Sequence, residues 1–186
     1  MEVFVIRHTQ VSIGKNSCYG QAEVPLADSF EEETLLLKTQ LPQNATIFSS
    51  PSKRCTDLAS RLTTEKIIED DRLKEMNFGA WELQAWNSIE PEILNAWMQD
   101  FVNIAPPKGE NLKIMYARVE AFLNDLKNHD YNQIIIVTHA GVIRCIWAYI
   151  LQIPLQNIFK IPVAYGEVFT FNLNSEEATT VITRKK

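Results

Sequence analysis

The hydrophobic pattern of this 186-residue chain alternates between short β-branched runs and longer segments of helical period. Val3 to Ile6 is a run of the first kind, and Ile134 to Val137 is a second. Both read as buried strands of a parallel sheet, since no polar residue interrupts them. Ala45 to Phe48 and Lys66 to Ile68 predict two more strands, and Glu167 to Leu173 and Ala178 to Thr183 predict a C-terminal pair. Ser29 with Glu32 resembles a capping box that opens a helix to about Thr39. Ser49-Ser50-Pro51 supplies a hydroxyl cap and a proline for the first helical position, with the helix running to about Leu62. Glu110 to about Lys127 and Gly141 to Leu151 carry apolar residues at helical spacing. Residues 9 to 27 and 74 to 109 read as irregular. Strands alternating with helices in this order predict one α/β domain, a three-layer α/β/α fold whose mostly parallel sheet is covered on both faces.

What ends the two strongest runs matters most. Val3 to Ile6 stops on Arg7 and His8, and Ile134 to Val137 stops on Thr138 and His139. Open α/β sheets bind ligands at the carboxyl ends of their strands. Two imidazoles are therefore expected at one sheet edge. A zinc pair would need a third His, Cys or carboxylate at ligand spacing, and the sequence offers none. His129, in the polar Lys127-Asn128-His129-Asp130 turn, reads as solvent-exposed.

Composition narrows the class. Hydrophobic residues make up 46% of the chain, too many for a disordered or fibrous protein. The net charge of −5 and the lack of a basic stripe argue against a nucleic-acid surface. An anionic substrate would then depend on locally placed arginines. Arg7 and Arg54 are suited to this, because planar guanidinium donors match a phosphoryl group. Backbone N–H groups at the helix starts after Ser50 and after His139 are expected to add anion-binding donors. The apolar stretch from Cys145 to Leu151 is bounded by Arg144 and Gln152 and is too short to span a membrane. A strand-like start implies no secretory signal. Cys18, Cys55 and Cys145 show no paired spacing, so a reducing, cytoplasmic setting is expected.

Glu75 lies in Leu73-Lys74-Glu75-Met76-Asn77-Phe78-Gly79-Ala80-Trp81-Glu82 beside aromatic residues, where a carboxyl group could give a proton to a leaving alkoxide. Cys55 and Arg61 fit the spacing of a cysteine-phosphatase loop, but the residues between them favour a helix over a glycine-rich anion cradle.

Four ordered blocks carry a resemblance: Arg7-His8-Thr9; Ser50-Pro51-x-x-Arg54-Cys55-x-x-Leu58-Ala59; Leu73-x-Glu75-x-x-Phe78-Gly79-x-Trp81-Glu82; and Val137-Thr138-His139-Ala140-Gly141-Val142-Ile143-Arg144. Together they resemble the histidine phosphatase superfamily, with its phosphoglycerate mutase-like fold. The resemblance implies that His8 is the nucleophile and forms a phosphohistidine. It implies that Arg7, Arg54 and His139 bind the phosphoryl oxygens, that Glu75 donates the proton and that Glu82 is structural. No cofactor or metal is implied. The stretch from Cys18 to Glu33 is similar to a subgroup of that family that removes the 5′-phosphate of α-ribazole phosphate in cobalamin assembly. The expected substrate-binding residues are Arg7, Arg54, His139, Tyr19, Gln21 and Ala140, with Tyr19 or Trp81 available to stack on a ring.

The expected partner is a small-molecule phosphate ester, with neither nucleic acid nor membrane. Family mutases of this type carry a longer insertion near the site, so the short chain favours hydrolysis over transfer. A broad-specificity or sugar-phosphate phosphatase stays open. A non-catalytic binder of phosphorylated ligands has no use for both His8 and Glu75. The family usually has glycine after the nucleophile; here Thr9 puts a β-branched residue into that turn. Residues 83 to 109 are expected to form a wall or lid over the pocket.

Overall fold

The computed structural model describes residues 1–64 and 66–173, together with the backbone of 183–185. Six strands form one sheet: β1 (Glu2–Arg7), β2 (Thr46–Ser49), β3 (Ile68–Glu69), β4 (Gln133–Thr138), β5 (Val168–Asn172) and β6 (Thr183–Lys185). Their order across the sheet is β3-β2-β4-β1-β5-β6. The β3–β2, β2–β4 and β4–β1 pairs are parallel, while β5 and β6 run antiparallel at the other edge.

The helices are α1 (Phe30–Lys38), α2 (Lys53–Leu62), α3 (Pro91–Gln99), α4 (Leu112–Leu126) and α5 (Ala140–Leu151). Alternation along the central strands sends residues to two cores. Val3, Val5, Ile134 and Ile136 pack with Phe122 of α4 and with Val142 and Ile146 of α5. Phe4, Ile6, Ile135 and Val137 face Leu37 of α1 and Leu58 and Ala59 of α2. Burial on both faces explains why β1 and β4 read as uninterrupted apolar runs.

Several local readings need correction. Ser29 makes no capping box with Glu32. Its hydroxyl donates to Glu33 Oε1 at 2.5 Å, and Glu33 Oε2 accepts the Gln10 N–H at 3.1 Å, which ties the helix to the loop after β1. Helix α2 starts at Lys53 with Ser52 as its cap, so Pro51 lies outside it. Ser50 fails as a cap because its hydroxyl is committed to a tertiary partner, His139. The third strand falls at Ile68–Glu69 instead of Lys66 to Ile68, since only Ile68 and Glu69 reach register with β2.

Helix α3 lies inside a stretch read as irregular. Only Trp97 of its residues is buried, and Pro91 occupies the first helical position. The expected strand from Ala178 to Thr183 lies, except for Thr183, outside the described residues. Among the described residues, no helix is long and apolar enough to cross a membrane.

Candidate active site

Register assembles the site. Arg7 stands opposite Thr138 and Ser49 opposite Val137, so His8, Ser50 and His139 step off the carboxyl ends of three adjacent strands. The two imidazole rings meet edge to face with centroids 5.2 Å apart.

The protonation of each ring follows from its partners. Thr9 O can only accept, so its 2.8 Å contact with His8 Nδ1 places the ring proton on Nδ1. The ring's lone pair is then on Nε2. Burial, then the charge of Arg54 and more weakly that of Arg7, hold His8 down to about 3, against the opposing effect of the Thr9 bond. His8 is therefore neutral at pH 7.

In His139, Nδ1 lies 3.2 Å from Arg54 Nη2, which can only donate. The proton must sit on Nε2, which donates to Ser50 Oγ at 2.8 Å. Burial and the Arg54 charge hold His139 well below the usual histidine range.

Arg7 and Arg54 are fixed from the protein side. Arg7 Nη1 donates to Val163 O at 2.7 Å, and its Cζ stands 3.6 Å from the centroid of the Tyr165 ring. Arg54 is fully buried and donates to Ala22 O at 3.0 Å and to Gly20 O. Arg7 Nε, Arg54 Nε and Thr9 Oγ1 are buried without a hydrogen-bond partner, so unused hydrogen-bonding capacity is concentrated beside His8. Thr9 fits the turn without strain. Among the described residues, the non-glycine positions with positive φ are Leu83, Lys108 and Gln152.

Glu75 faces His8 from the segment after β3. Its Oε1 accepts the Met76 N–H at 3.0 Å and its Oε2 the Gly141 N–H at 3.1 Å. One N–H at each of the two helix starts expected to bind an anion is thus taken by a protein carboxylate. Gly141 at the start of α5 serves Glu75, and Lys53 at the start of α2 donates to Glu23 at 3.0 Å.

A side chain at position 141 would force its neighbours to move. A Cβ there would overlap Glu75 Oε1 and stand 2.9 Å from Met115 Cε. Gly141→Ala is expected to lower kcat/KM for an alkyl phosphate by roughly 10- to 100-fold through displacement of the carboxyl group. It should cost about 1–3 kcal/mol in a chemical melt. Unchanged kinetics would separate Gly141 from the placement of Glu75.

Glu82 is a clamp, in agreement with its expected structural role. Its carboxylate accepts from Gly20 N at 2.8 Å, Gln21 N at 3.0 Å, Ala22 N at 3.1 Å and Phe78 N at 3.0 Å. Four donors on one carboxylate fix the loop that supplies Tyr19, Gln21 and the carbonyls holding Arg54.

Arg7, His8, Tyr19 and Glu75 line one cavity of about 270 Å³. Arg54 and His139 are fully buried and do not line it, and neither do Gln21 and Ala140. Gln21 instead turns its amide to Glu75 O at 3.1 Å. From the expected wall segment, Trp86 reaches the cavity, whereas Trp81 is buried against Trp86 and Trp97.

Two further lining residues had escaped notice. Tyr165 packs on Arg7, and its hydroxyl meets that of Tyr19 at 2.5 Å. Arg144 sits three residues after Gly141, which also lines the cavity, so helical spacing was the available signal. A larger cleft of about 980 Å³ opens between the ends of α1 and α2 and the start of β2. Among the described residues its lining contains no His, Cys or carboxylate, so we place the chemistry in the smaller cavity. Cys55 is buried within α2, and burial pushes its thiol up, which does not suit a cysteine nucleophile.

A neutral imidazole with a free Nε2, two guanidinium groups and a facing carboxyl group fit phosphoryl transfer to nitrogen. The chain belongs to the histidine phosphatase superfamily (branch 1), whose sequence model matches residues 3–184. It is a phosphatase of that family, with the fold of its phosphoglycerate mutase-like members. The adenosylcobalamin/alpha-ribazole phosphatase of Escherichia coli is 26% identical, covering 96% of this chain and 93% of that protein. A putative phosphoserine phosphatase 2 of Hydrogenobacter thermophilus is also 26% identical, over 98% of this chain and 95% of that protein. The crystal structure of the alpha-ribazole phosphatase from Shigella flexneri superposes with a TM-score of 0.89 at 25% identity, covering 98% of this chain and 95% of that one.

Proposed function

We propose that this protein hydrolyses phosphomonoesters through a phosphohistidine on His8, and that its substrate is α-ribazole 5′-phosphate. The observation carrying the chemistry is the Nδ1–H to Thr9 O bond, which leaves Nε2 of a neutral ring available at the cavity. In the first half-reaction Nε2 bonds to phosphorus as the ester P–O bond breaks, and Glu75 gives its proton to the leaving alkoxide. In the second, water attacks phosphorus, Glu75 takes the water proton, the N–P bond breaks and phosphate departs. Arg7 and Arg54 neutralise charge on the phosphoryl oxygens, and His139 with Ser50 holds Arg54 in place.

The cavity wall supports the substrate. Tyr19, Phe78, Trp86, Phe159 and Tyr165 present aromatic surface suited to a flat heteroaromatic alcohol portion. The names of the Escherichia coli and Shigella flexneri relatives point the same way.

Arg144 favours a second reading. This guanidinium lines the cavity, donates to Ile161 O at 2.9 Å and has no ion pair among the described residues, an arrangement that suits an anionic substituent such as the carboxylate of phosphoserine. Phosphate release from α-ribazole 5′-phosphate, phosphoserine, 3-phosphoglycerate, a sugar phosphate and p-nitrophenyl phosphate at matched concentrations separates the two. We expect kcat/KM for α-ribazole 5′-phosphate to exceed each other natural ester by about 10-fold or more. Higher turnover of phosphoserine would replace our assignment by the second reading. Equal slow turnover of all esters would point to broad specificity.

A further inference from the structure

We infer that Arg118, braced by Glu110, is a positioning residue for Glu75, acting on the step that protonates the leaving alkoxide. The inference rests on the reading of Glu75 as the acid. Residues 74–78 belong to no helix or strand, so no ladder of backbone bonds fixes the peptide groups around Glu75. Side chains do it instead. From α4, Arg118 Nη1 donates to Arg72 O at 2.7 Å and Nη2 to Glu75 O at 3.1 Å.

The other side of the same guanidinium forms a two-point pair with Glu110: Nη2 to Oε1 at 2.7 Å and Nε to Oε2 at 3.2 Å. Glu110 closes the arrangement. Its Oε1 accepts the Asn77 N–H at 2.9 Å, and its own N–H donates to Asn77 O at 2.9 Å. One fork and one carboxylate thus hold the chain at residues 72, 75 and 77, on both sides of the acid. Arg118 does not line the cavity, so its influence on the reaction must pass through Glu75.

A planar guanidinium can reach two carbonyls and a carboxylate together, which an ammonium cannot. Arg118→Lys therefore keeps the charge and loosens the geometry. A misplacement of about 1 Å is enough to lower catalysis markedly, so we expect kcat/KM for an alkyl phosphate to fall by roughly 10-fold or more. With p-nitrophenyl phosphate, whose leaving group departs without a proton, the loss should stay within about 2-fold. Because kcat/KM covers only steps through transfer to His8, the return half-reaction does not blur the comparison.

In the double variant Glu75→Gln/Arg118→Lys, the second change should add nothing on the alkyl ester, since its target is already gone. Equal losses on both esters, or additive losses in the double variant, would overturn the inference. Should Arg118→Lys fail to fold, Glu110→Gln carries the same expectation, because it removes the charge that orients the fork. If Glu75→Gln itself shows no leaving-group dependence, the acid assignment falls and takes this inference with it. A dependence seen in Glu75→Gln but absent in Arg118→Lys overturns the positioning role alone.

Discussion

Replacing His8 by glutamine is expected to lower kcat on every phosphomonoester by on the order of 10⁴-fold or more, because His8 supplies the imidazole that lines the cavity. Glutamine has similar reach but no nitrogen lone pair equivalent to Nε2. Cys55 and Ser50 offer no substitute. The first is a buried neutral thiol and the second accepts the Nε2 proton of His139. Acid-labile, alkali-stable phosphoenzyme should accumulate in the wild type on rapid quenching and be absent from the variant. Phosphoenzyme in the variant, or activity within about 10-fold of wild type, would refute the nucleophile assignment.

The same substitution carries a stability signature. His8 is held down to about 3 in the folded protein, below its ordinary 6.5, so between these values the unfolded chain binds a proton that the folded one does not. Folding stability is then lost as pH falls from 6.5 towards 3. His8→Gln should flatten that decline by up to about 1.4 kcal/mol per pH unit, measured by chemical denaturation at stepped pH.

Glu75→Gln should separate substrates by their leaving groups. For an alkyl phosphate, kcat/KM is expected to fall by roughly 10²- to 10³-fold, the usual size of a lost proton transfer. For p-nitrophenyl phosphate the loss should stay below about 10-fold. That remainder has a structural origin. The carboxylate accepts from both Met76 N–H and Gly141 N–H, whereas a glutamine amide offers one acceptor and turns an NH₂ group towards the other donor. Equal losses on both esters would assign Glu75 to shaping the site.

How much of this was legible depended on how far each residue's partners lie along the chain. His8 and His139 were readable because each ends a strand buried on both faces, and such strands announce themselves as apolar runs. Arg54 was readable through its block, yet its acceptors Gly20 and Ala22 come from a loop with no periodicity. The misplaced start of α2 shows a local rule overridden by a distant contact, since Ser50 serves a histidine 89 residues away. Helix α3 has a start signal in Pro91 at its first position, but it buries one residue and leaves Ile93 and Met98 exposed, so its apolar positions do not mark out a core-facing side. Tyr165 ends no strand and caps no helix, so only folding reveals that it covers Arg7. Gln21 was expected to touch substrate and instead holds the backbone of Glu75. Sequence can place a side chain in the right loop without saying which way it faces.

The strand order has a consequence for how the protein is made. The β1 strand that delivers His8 sits between β4 (Gln133–Thr138) and β5 (Val168–Asn172), both of which follow it far along the chain. His8 must wait until the chain has been made through these later strands before both neighbours exist to bury it. A nascent fragment that stops before Gln133 cannot act by this route, because it lacks His139 and the strand that brings it beside His8. Catalysis is thus switched on all together, once β4 and β5 have docked on either side of β1.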